Sequence, residues 1–377
     1  MKKDWEIKKL GEVCEIYQPQ TISTKQLIEN GKYSVYGANG IIGNYDKYNH
    51  EESEVLLTCR GATCGSVNIS EPFSWINGNA MVIHPKSTDI SKQFLTFILC
   101  SLDYSHIITG AAQPQITRQT LSPTLIPVPP LEEQKRIVKI LDEKFAQLES
   151  LKANAQTNLQ NAKDLFQSQL TKAFSNTTWE KKRLGDCGTL KNGMNFAATD
   201  SGYTIRSLGV GDFKDRYSID DTETLSEISL KAAPSEDYLL HDGDIVFVRS
   251  NGNKELVGRC LLVYPKNVPT TYSGFCIRFR KNFDLLDADF LLHFMKAESS
   301  RKILNGKEGA NISNLNQKIL GDFELPLPSL PEQKRIVKEL DTLSEKVRQL
   351  QEIYTKQIAN CDELKQAYLQ KAFEGEL

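Results

Sequence analysis

The chain has 377 residues, of which 40% are apolar, and its formal net charge is −2. This length allows two or three domains with ordinary cores, and the near-neutral charge lacks the strongly basic character of many nucleic-acid-binding domains. Its eight cysteines form no C-x-x-C pair and no apolar run approaches about 18 residues, so we expect a soluble cytoplasmic protein with buried thiols and no membrane partner.

Residues 1–129 predict a mixed α/β domain. The apolar runs Val55–Thr58 and Ala80–Ile83 are bounded by Gly, Asn and Pro and predict strands, and Phe94–Cys100 predicts a short helix. Amide, hydroxyl and guanidinium groups near these runs are suited to phosphates and base edges. Ordinary turn chemistry is the competing interpretation of each. The candidates for DNA contact are Tyr36, Asn39, Arg60, Thr63, Gln113, Gln115, Thr117 and Arg118.

A long helix is predicted to follow Pro127–Pro130. Residues 131–174 contain almost no Gly or Pro and are rich in Leu, Ala, Lys, Glu and Gln. A helix of about 43 residues would be about 65 Å long. Its apolar residues follow a 4–3 spacing that includes Leu141, Leu148 and Leu159. A helix with one apolar stripe must bury it against a partner, so these three residues are predicted to pair with another helix.

Residues 175–328 predict a second mixed α/β domain after the polar hinge Ser175–Thr178. Asp244–Val248 and Gly258–Tyr264 predict strands, and Phe290–Lys296 predicts a short helix. Arg249 follows its strand as Arg60 follows Thr58, and we interpret the two arginines as occupying matching places. The candidates for DNA contact in this domain are Arg249, Asn251, Lys254, Asn311, Ser313 and Asn314.

A second long helix is predicted over residues 330–373. Its apolar spacing includes Leu340, Val347 and Ile358 as helix-pairing residues, and it also includes Leu350 and Leu364. The obvious partner for this stripe is the first long helix. A coiled coil that serves only oligomerisation is the alternative.

The chain contains an internal repeat. Leu131–Asp142 recurs as Leu330–Asp341, with ten of twelve residues identical and a separation of 199 residues. The openings Trp5-Glu-Ile-Lys-Lys-Leu-Gly and Trp179-Glu-Lys-Lys-Arg-Leu-Gly also correspond. We therefore predict an α/β (α+β) chain with an internal pseudo-twofold repeat and two long antiparallel coiled-coil helices. We predict two α/β domains, at residues 1–129 and 175–328, and two long-helix segments, at residues 130–174 and 329–377.

Catalytic signatures are missing from the sequence. There is no G-x-x-x-x-G-K-[ST], no G-x-G-x-x-G and no Asn-Pro-Pro-Tyr or Asp-Pro-Pro-Tyr run. The five histidines show neither an H-x-x-x-H spacing nor a nearby cysteine pair. We therefore predict no catalytic residue and no metal site.

The repeated motif resembles a known family. Ile-Pro-Val-Pro-Pro-Leu-Glu-Glu-Gln-Lys-Arg-Ile-Val, followed by a long helix ending in Lys-Ala-Phe, is similar to the specificity subunits of type I restriction–modification systems. The ending Gln370–Leu377 and the run Tyr33–Gly43 are similar as well. The resemblance covers both halves of the chain in order.

The resemblance implies a DNA-recognition subunit that has no catalytic activity of its own. Each of two target-recognition domains would contact one half of a bipartite site in double-stranded DNA, and the long helices would set the spacer and dock two methyltransferase subunits. Motor-nuclease restriction subunits would join the complex. S-adenosylmethionine, ATP and magnesium would then bind to these partners, and this chain would hold no cofactor.

Two other classes of function stay open at this point. One is a nuclease or methyltransferase with unrecognised motifs, since a Gly-Asp-Ile-Val-Phe-Val248 run followed by Lys254 could mimic part of a nuclease core. The other is a coiled-coil scaffold without DNA contact. Turnover by the purified chain would favour the enzyme, and failure to shift any duplex would favour the scaffold.

Overall fold

The computed structural model of the chain describes residues 5–110, 113–213, 216–304 and 314–377, apart from the side chain of Lys254. The chain divides into two compact units. Unit 1 comprises Met1–Gln156 and Thr355–Leu377, and unit 2 comprises Thr157–Tyr354. Each long helix therefore contributes one part to each unit.

Unit 1 contains a mixed α/β domain, as predicted. Its strands form a four-stranded sheet in the order β2-β8-β5-β6, a three-stranded sheet β4-β3-β7 and a two-stranded sheet β1-β9. The elements are β1 Glu6–Lys9, α1 Leu10–Val13, β2 Cys14–Tyr17, β3 Tyr33–Gly37, β4 Gly40–Tyr45, β5 Val55–Thr58, β6 Val67–Ile69, β7 Trp75–Ile76, β8 Ala80–Pro85, α2 Lys92–Ser101, α3 Arg118–Leu121, β9 Leu125–Val128 and the first part of α4 Leu131–Ala173.

Unit 2 repeats this plan with one additional strand among the described residues. Its sheets have the orders β11-β18-β15-β16-β13, β14-β12-β17 and β10-β19. The elements are β10 Lys181–Arg183, β11 Gly188–Asn192, β12 Tyr203–Leu208, β13 Ser218–Ile219, β14 Glu227–Leu230, β15 Asp244–Val248, β16 Cys260–Val263, β17 Thr270–Tyr272, β18 Cys276–Lys281, α5 Ala288–Lys296, α6 Glu298–Leu304, α7 Gln317–Gly321, β19 Glu324–Pro326 and the first part of α8 Leu330–Glu374.

The long helices α4 and α8 have 43 and 45 residues, close to the predicted length. Within unit 1 they run antiparallel. Arg136 of α4 donates from Nη2 to the carbonyl oxygen of Leu377 at 2.5 Å, and further along α4 Lys152 lies 2.7 Å from Asp362. Later residues of α4 therefore lie beside earlier residues of the C-terminal segment, which confirms the predicted antiparallel direction in this unit. No helix of the described residues is long and apolar enough to cross a membrane.

The predicted pairing residues differ in burial. The buried ones join the cores, Leu141 and Leu148 with Cys361 and Leu369 in unit 1, and Leu340 and Val347 with Phe166 in unit 2. Leu159 and Ile358 are half-buried. Leu350 and Leu364, which the 4–3 spacing also included, are 37% and 48% exposed, so that part of the prediction was wrong. The buried stripe is narrower than a full coiled-coil seam.

The repeated glutamine joins each long helix to its α/β domain. Gln134 is fully buried, its Oε1 accepts from the backbone N–H of Ser91 at 3.0 Å, and its Nε2 donates to the carbonyls of Asp89 and Pro129. Gln333 is also fully buried and makes the same three kinds of bond at 2.8 Å. Its partners are Asp287, Leu285 and Pro328. Because Ser91 and Asp287 are the N-caps of α2 and α5, the glutamine fixes the same corner in both units.

Candidate nucleic-acid interface

In unit 1 the end of β5 is crossed by a distant segment of the chain. Arg60 and Gln115 form an antiparallel bridge. The N–H of Ile116 donates to the carbonyl of Cys59 at 3.0 Å, and the N–H of Gly61 donates to the carbonyl of Pro114 at 3.0 Å. The predicted candidates around Arg60 and those around Gln115 therefore lie together, although more than fifty residues separate them in sequence.

In unit 2 the end of β15 is crossed in the same way. Ser250 and Asn314 form an antiparallel bridge, and the N–H of Leu315 donates to the carbonyl of Arg249 at 2.8 Å. The N–H of Arg249 donates to the carbonyl of Phe275 at 2.8 Å. Each unit thus brings three features together: the end of a strand, the crossing segment, and the residue directly before β8 in unit 1 or β18 in unit 2. We name this place the crossing site of each unit.

A glycine returns the loop to its strand in both crossing sites. Gly65 donates to the carbonyl of Thr58, and Gly258 donates to the carbonyl of Val248. Their φ angles are +95° and +79°, a region that side chains with a Cβ rarely adopt. These bonds align Gly65 with Gly258 and Thr58 with Val248.

This alignment corrects one prediction. Cys59 and Arg249 occupy equivalent positions, because the backbone carbonyl of each accepts a hydrogen bond from the crossing segment. The equivalent of Arg60 is Ser250, because each of these two residues forms the bridge to that segment. The two arginines therefore do not occupy matching places. Arg60 is exposed, whereas Arg249 is half-buried, and its Nε atom is buried without a hydrogen-bond partner among the described residues. The loop that follows is longer in unit 2, which hid the true register in the sequence.

The candidates from the first hairpin of unit 1 have different surroundings. Tyr36 is 5% exposed, and its hydroxyl accepts from the N–H of Glu71 at 3.0 Å, so its assignment to DNA contact was wrong. The ring completes a core of the β3 sheet and cannot reach a ligand. Asn39 is exposed at the hairpin tip, where its Oδ1 accepts from Asn68 of β6 at 3.3 Å. Thr63 is exposed in the loop that follows Arg60.

The crossing segment of unit 1 contributes accessible polar groups. Gln113 and Arg118 are exposed, and Gln115 is half-buried. Thr117 caps α3, because its Oγ1 accepts from the N–H of Thr120 at 3.2 Å. Arg118 is therefore fixed at the first position of that helix, with its side chain in solvent.

The candidates of unit 2 are only partly described. Asn251 is half-buried and accepts through Oδ1 from the N–H of Asn253 at 2.8 Å, a turn contact. Asn314 is exposed at the crossing. Lys254 begins a short 3-10 turn, but its side chain, like Asn311 and Ser313, lies outside the described residues.

The sequence interpretation missed one residue in each crossing site. Phe275 is 59% exposed directly before β18, and Asn79 is exposed directly before β8. The carbonyl of Asn79 accepts from the N–H of Cys59, as that of Phe275 does from Arg249. The sequence carried a signal for both residues, because a Gly-Asn pair and a Gly-Phe pair each stand directly before an apolar run that forms a strand. An amide in one unit and an aromatic ring in the other offer different chemistry to a ligand.

Among the described residues, no group of three His, Cys, Asp or Glu side chains could hold a metal ion. The cysteines are free thiols, and six of the eight are buried. Burial raises the pKa of the Cys14 thiol and that of the Cys276 thiol to about 12, which keeps both protonated and unreactive. These thiols therefore serve as core residues.

Comparison with known proteins shows which protein family this chain matches. A family model described as "Type I restriction modification DNA specificity domain" matches residues 2–159 and 176–358. The StySPI specificity subunit of a type I restriction enzyme from Salmonella potsdam is 28% identical over 341 residues, which cover 84% of this chain and 68% of that protein. The EcoKI specificity subunit from Escherichia coli K12 is 25% identical and covers 93% of this chain and 81% of its own length.

Solved structures share the fold. A chain from a study of complex assembly and conformational transition in a type I R-M system has a TM-score of 0.77 and 20% identity, covering 100% of this chain and 99% of that one. The HsdS subunit from Thermoanaerobacter tengcongensis has a TM-score of 0.58 and 19% identity, covering 100% of this chain and 98% of its own. At these identities the likeness concerns the fold alone.

Proposed function

We propose, because the chain belongs to the type I restriction–modification DNA specificity family, that it is the non-catalytic subunit that selects the DNA sequence for a methylation and restriction complex. Each unit reads one half of a bipartite double-stranded site through its crossing site. The chain contributes sequence recognition, and its partner subunits contribute the chemistry.

The observation that carries this proposal is the repetition of one backbone frame with unlike side chains. The crossing sites share the strand end, the bridge and the returning glycine. Their exposed groups differ, with Arg60 and Asn79 in unit 1 and with Phe275 and Asn314 in unit 2. A constant frame with variable contacts is what two different half-sites require, since base edges are distinguished by the donors and acceptors that face them.

Arg60 is the strongest base-reading candidate. Its side chain is exposed, while its backbone is held by the bridge to Gln115. A guanidinium on a fixed backbone can donate two parallel hydrogen bonds to O6 and N7 of guanine. In unit 2 the exposed ring of Phe275 can make an apolar contact, for example with a thymine methyl group.

The long helices offer a duplicated apolar surface for two methyltransferase subunits. Leu151 and Leu165 of α4 are 59% and 47% exposed, and the residues 199 positions later on α8, Leu350 and Leu364, are also exposed. Unit 1 contains Leu151 and Leu364, and unit 2 contains Leu165 and Leu350. Exposed leucines at repeated positions on helices support two equivalent docking surfaces. The same helices would set the distance between the half-sites.

The remaining parts of the proposal concern the partners. S-adenosylmethionine would bind to the methyltransferase subunits, and ATP with magnesium would bind to the motor-nuclease subunits, in the cytoplasm where the DNA lies. No residue of this chain is assigned to these cofactors.

The test is a binding assay of the full chain together with its methyltransferase partner, followed by methylation mapping of cellular DNA. We expect one bipartite motif and sequence-selective binding. Turnover of DNA by the purified chain alone would favour an enzyme, and a partner complex that binds all duplexes equally would favour a scaffold.

A further inference from the structure

The hairpin of β3 and β4 in unit 1 ends in an exposed apolar tip. Ala38 and Asn39 join the two strands, and β4 lies at an edge of its sheet. Ile41 and Ile42 of β4 are 54% and 42% exposed. The strand Gly40–Tyr45 contains no charged residue. Exposed edge strands usually carry charges that prevent pairing with other chains, so two neighbouring isoleucines at this edge indicate a contact that covers them.

The shared frame of the two units does not require this apolar tip. Tyr36 of β3 corresponds to Leu208 of β12, because the carbonyl of each accepts from the residue that follows β7 or β17. The strand β14 pairs with β12 as β4 pairs with β3, and it exposes Glu227 and Ser229. Glu227 lies 3.1 Å from Arg206 on β12. The equivalent edge in unit 2 is therefore polar, and the exposed isoleucines belong to unit 1 alone.

The hairpin tip is attached to the crossing site of unit 1. The hydroxyl of Thr58, the last residue of β5, donates to the carbonyl of Ala38. Thr58 stands two residues before Arg60, which forms the bridge of the crossing site. The tip is also attached to β6, because Oδ1 of Asn39 accepts from Asn68 at 3.3 Å. The tip and the crossing site therefore lie side by side.

The two isoleucines differ in their surroundings. A Cβ atom on Gly37 would lie 2.5 Å from Cγ2 of Ile42, so the Ile42 side chain packs against the backbone of β3. A Cβ atom on Gly40 would meet no atom within 4 Å. Ile42 therefore supports the hairpin, whereas Ile41 is the more exposed of the two and stands next to open space.

An amide beside an aliphatic side chain is complementary to one kind of base pair. In the major groove an A·T pair presents N7 and the N6 amino group of adenine beside the C5-methyl group of thymine. The exposed amide of Asn39 has a donor for N7, and its oxygen has a second lone pair for N6 besides the one that Asn68 uses. Ile41, two residues further on, offers an apolar surface for the methyl group.

We propose that this hairpin tip reads an A·T pair of the first half-site, with Ile41 covering the thymine methyl group and Asn39 bonding to the adenine. The inference deepens the function proposed above and rests on it. DNA is favoured over a protein partner because the tip adjoins the crossing site and places an exposed amide next to the apolar surface. The tip thus adds a specificity-determining contact to the one that Arg60 provides.

The test uses the full chain in complex with its methyltransferase partner and measures dissociation constants for duplexes that carry the mapped site. Each thymine of both half-sites is replaced singly with deoxyuridine, which removes only the methyl group. The variant is Ile41→Ser. Ile7→Ser is the matched control, because Ile7 is a similarly exposed isoleucine on β1 of the separate two-stranded sheet. The penalty for deoxyuridine is compared within each protein, so a general loss of stability cancels.

We expect the wild type to bind roughly fourfold more weakly when one particular thymine is replaced, as burial of a single methyl-sized group predicts. Ile41→Ser should bind the thymine and deoxyuridine duplexes equally at that position, and Ile7→Ser should keep the wild-type penalty. Asn39→Ala should relax discrimination at the same base pair by between about 5-fold and 150-fold.

A wild type that selects its site but shows no deoxyuridine penalty at any thymine would overturn the hairpin contact and leave the proposed function intact. A penalty that persists in Ile41→Ser would assign the methyl contact to another residue and also overturn it. If Ile41→Ser instead loses the methyltransferase partner while its penalty stays unchanged, the tip is covered by protein and the inference is wrong. A wild-type complex without sequence selectivity would overturn the proposed function itself.

Discussion

Replacing the repeated glutamines with leucine should loosen each unit at a defined corner. Gln134→Leu removes three hydrogen bonds, to Ser91, Asp89 and Pro129, while keeping a side chain of similar size. At about 1 kcal/mol for each bond, the free energy of unfolding should fall by about 3 kcal/mol, with part of the loss offset by the buried leucine. For a unit of roughly 180 residues this corresponds to a decrease in melting temperature of about 6–12 °C.

Hydrogen exchange locates the effect. Gln134→Leu should accelerate exchange around residues 89–94 of unit 1, and Gln333→Leu should do so around 285–290 of unit 2. Gln147→Leu is the control, since Gln147 is an exposed glutamine on the same helix as Gln134. The reasoning is refuted if Gln134→Leu destabilises the chain no more than this control does.

Three further predictions concern the cores, the interface and the helices. Leu148→Asp and Val347→Asp should each cost about 3 kcal/mol or more in circular dichroism melts, because a charge is forced into a buried cluster. Arg60→Ala should relax discrimination by about 1–3 kcal/mol at one base pair of the first half-site and leave the second unchanged in a binding scan. Inserting about four residues near Ala155 lengthens α4 by about 5.4 Å, so methylation mapping should show a spacer longer by about one or two base pairs.

Each of these predictions has a contradicting result. If both aspartate variants melt at the same temperature as the wild type, Leu148 and Val347 are not buried in the native chain. If Arg60→Ala binds every sequence as tightly as the wild type does, the loop that carries Arg60 faces away from DNA. An active insertion variant with the original spacer would mean that helix length does not set the spacing.

The elements with strong local signals were predictable from the sequence. Val55–Thr58 and Asp244–Val248 were predicted as strands from uninterrupted apolar runs, and both form strands with those bounds. The two long helices were predictable because about 43 residues almost free of Gly and Pro follow a proline-rich segment. These signals depend only on neighbours in the chain, which a sequence displays directly.

The features that depend on distant contacts were predicted less well. Tyr36 was assigned to the interface because its hydroxyl is suited to a phosphate or a base edge, but that hydroxyl bonds to the backbone of a residue 35 positions away. Arg60 and Arg249 were matched by residue type, whereas the backbone bonds of the crossing segments set the true register. Leu350 and Leu364 fit the helical spacing and are exposed, since spacing does not reveal how wide a face the neighbours cover.

The repeat allows a direct test of the claim that each unit reads one half-site. Residues 179–329 are replaced with residues 5–130, so that both α/β domains carry the crossing site of unit 1. The variant is expressed with the methyltransferase partner, and methylated sites are mapped across the cellular DNA. The account predicts a bipartite site in which both halves are copies of the first half-site, with the second half-site lost. A stably folded variant that still methylates the original asymmetric site would contradict the claim.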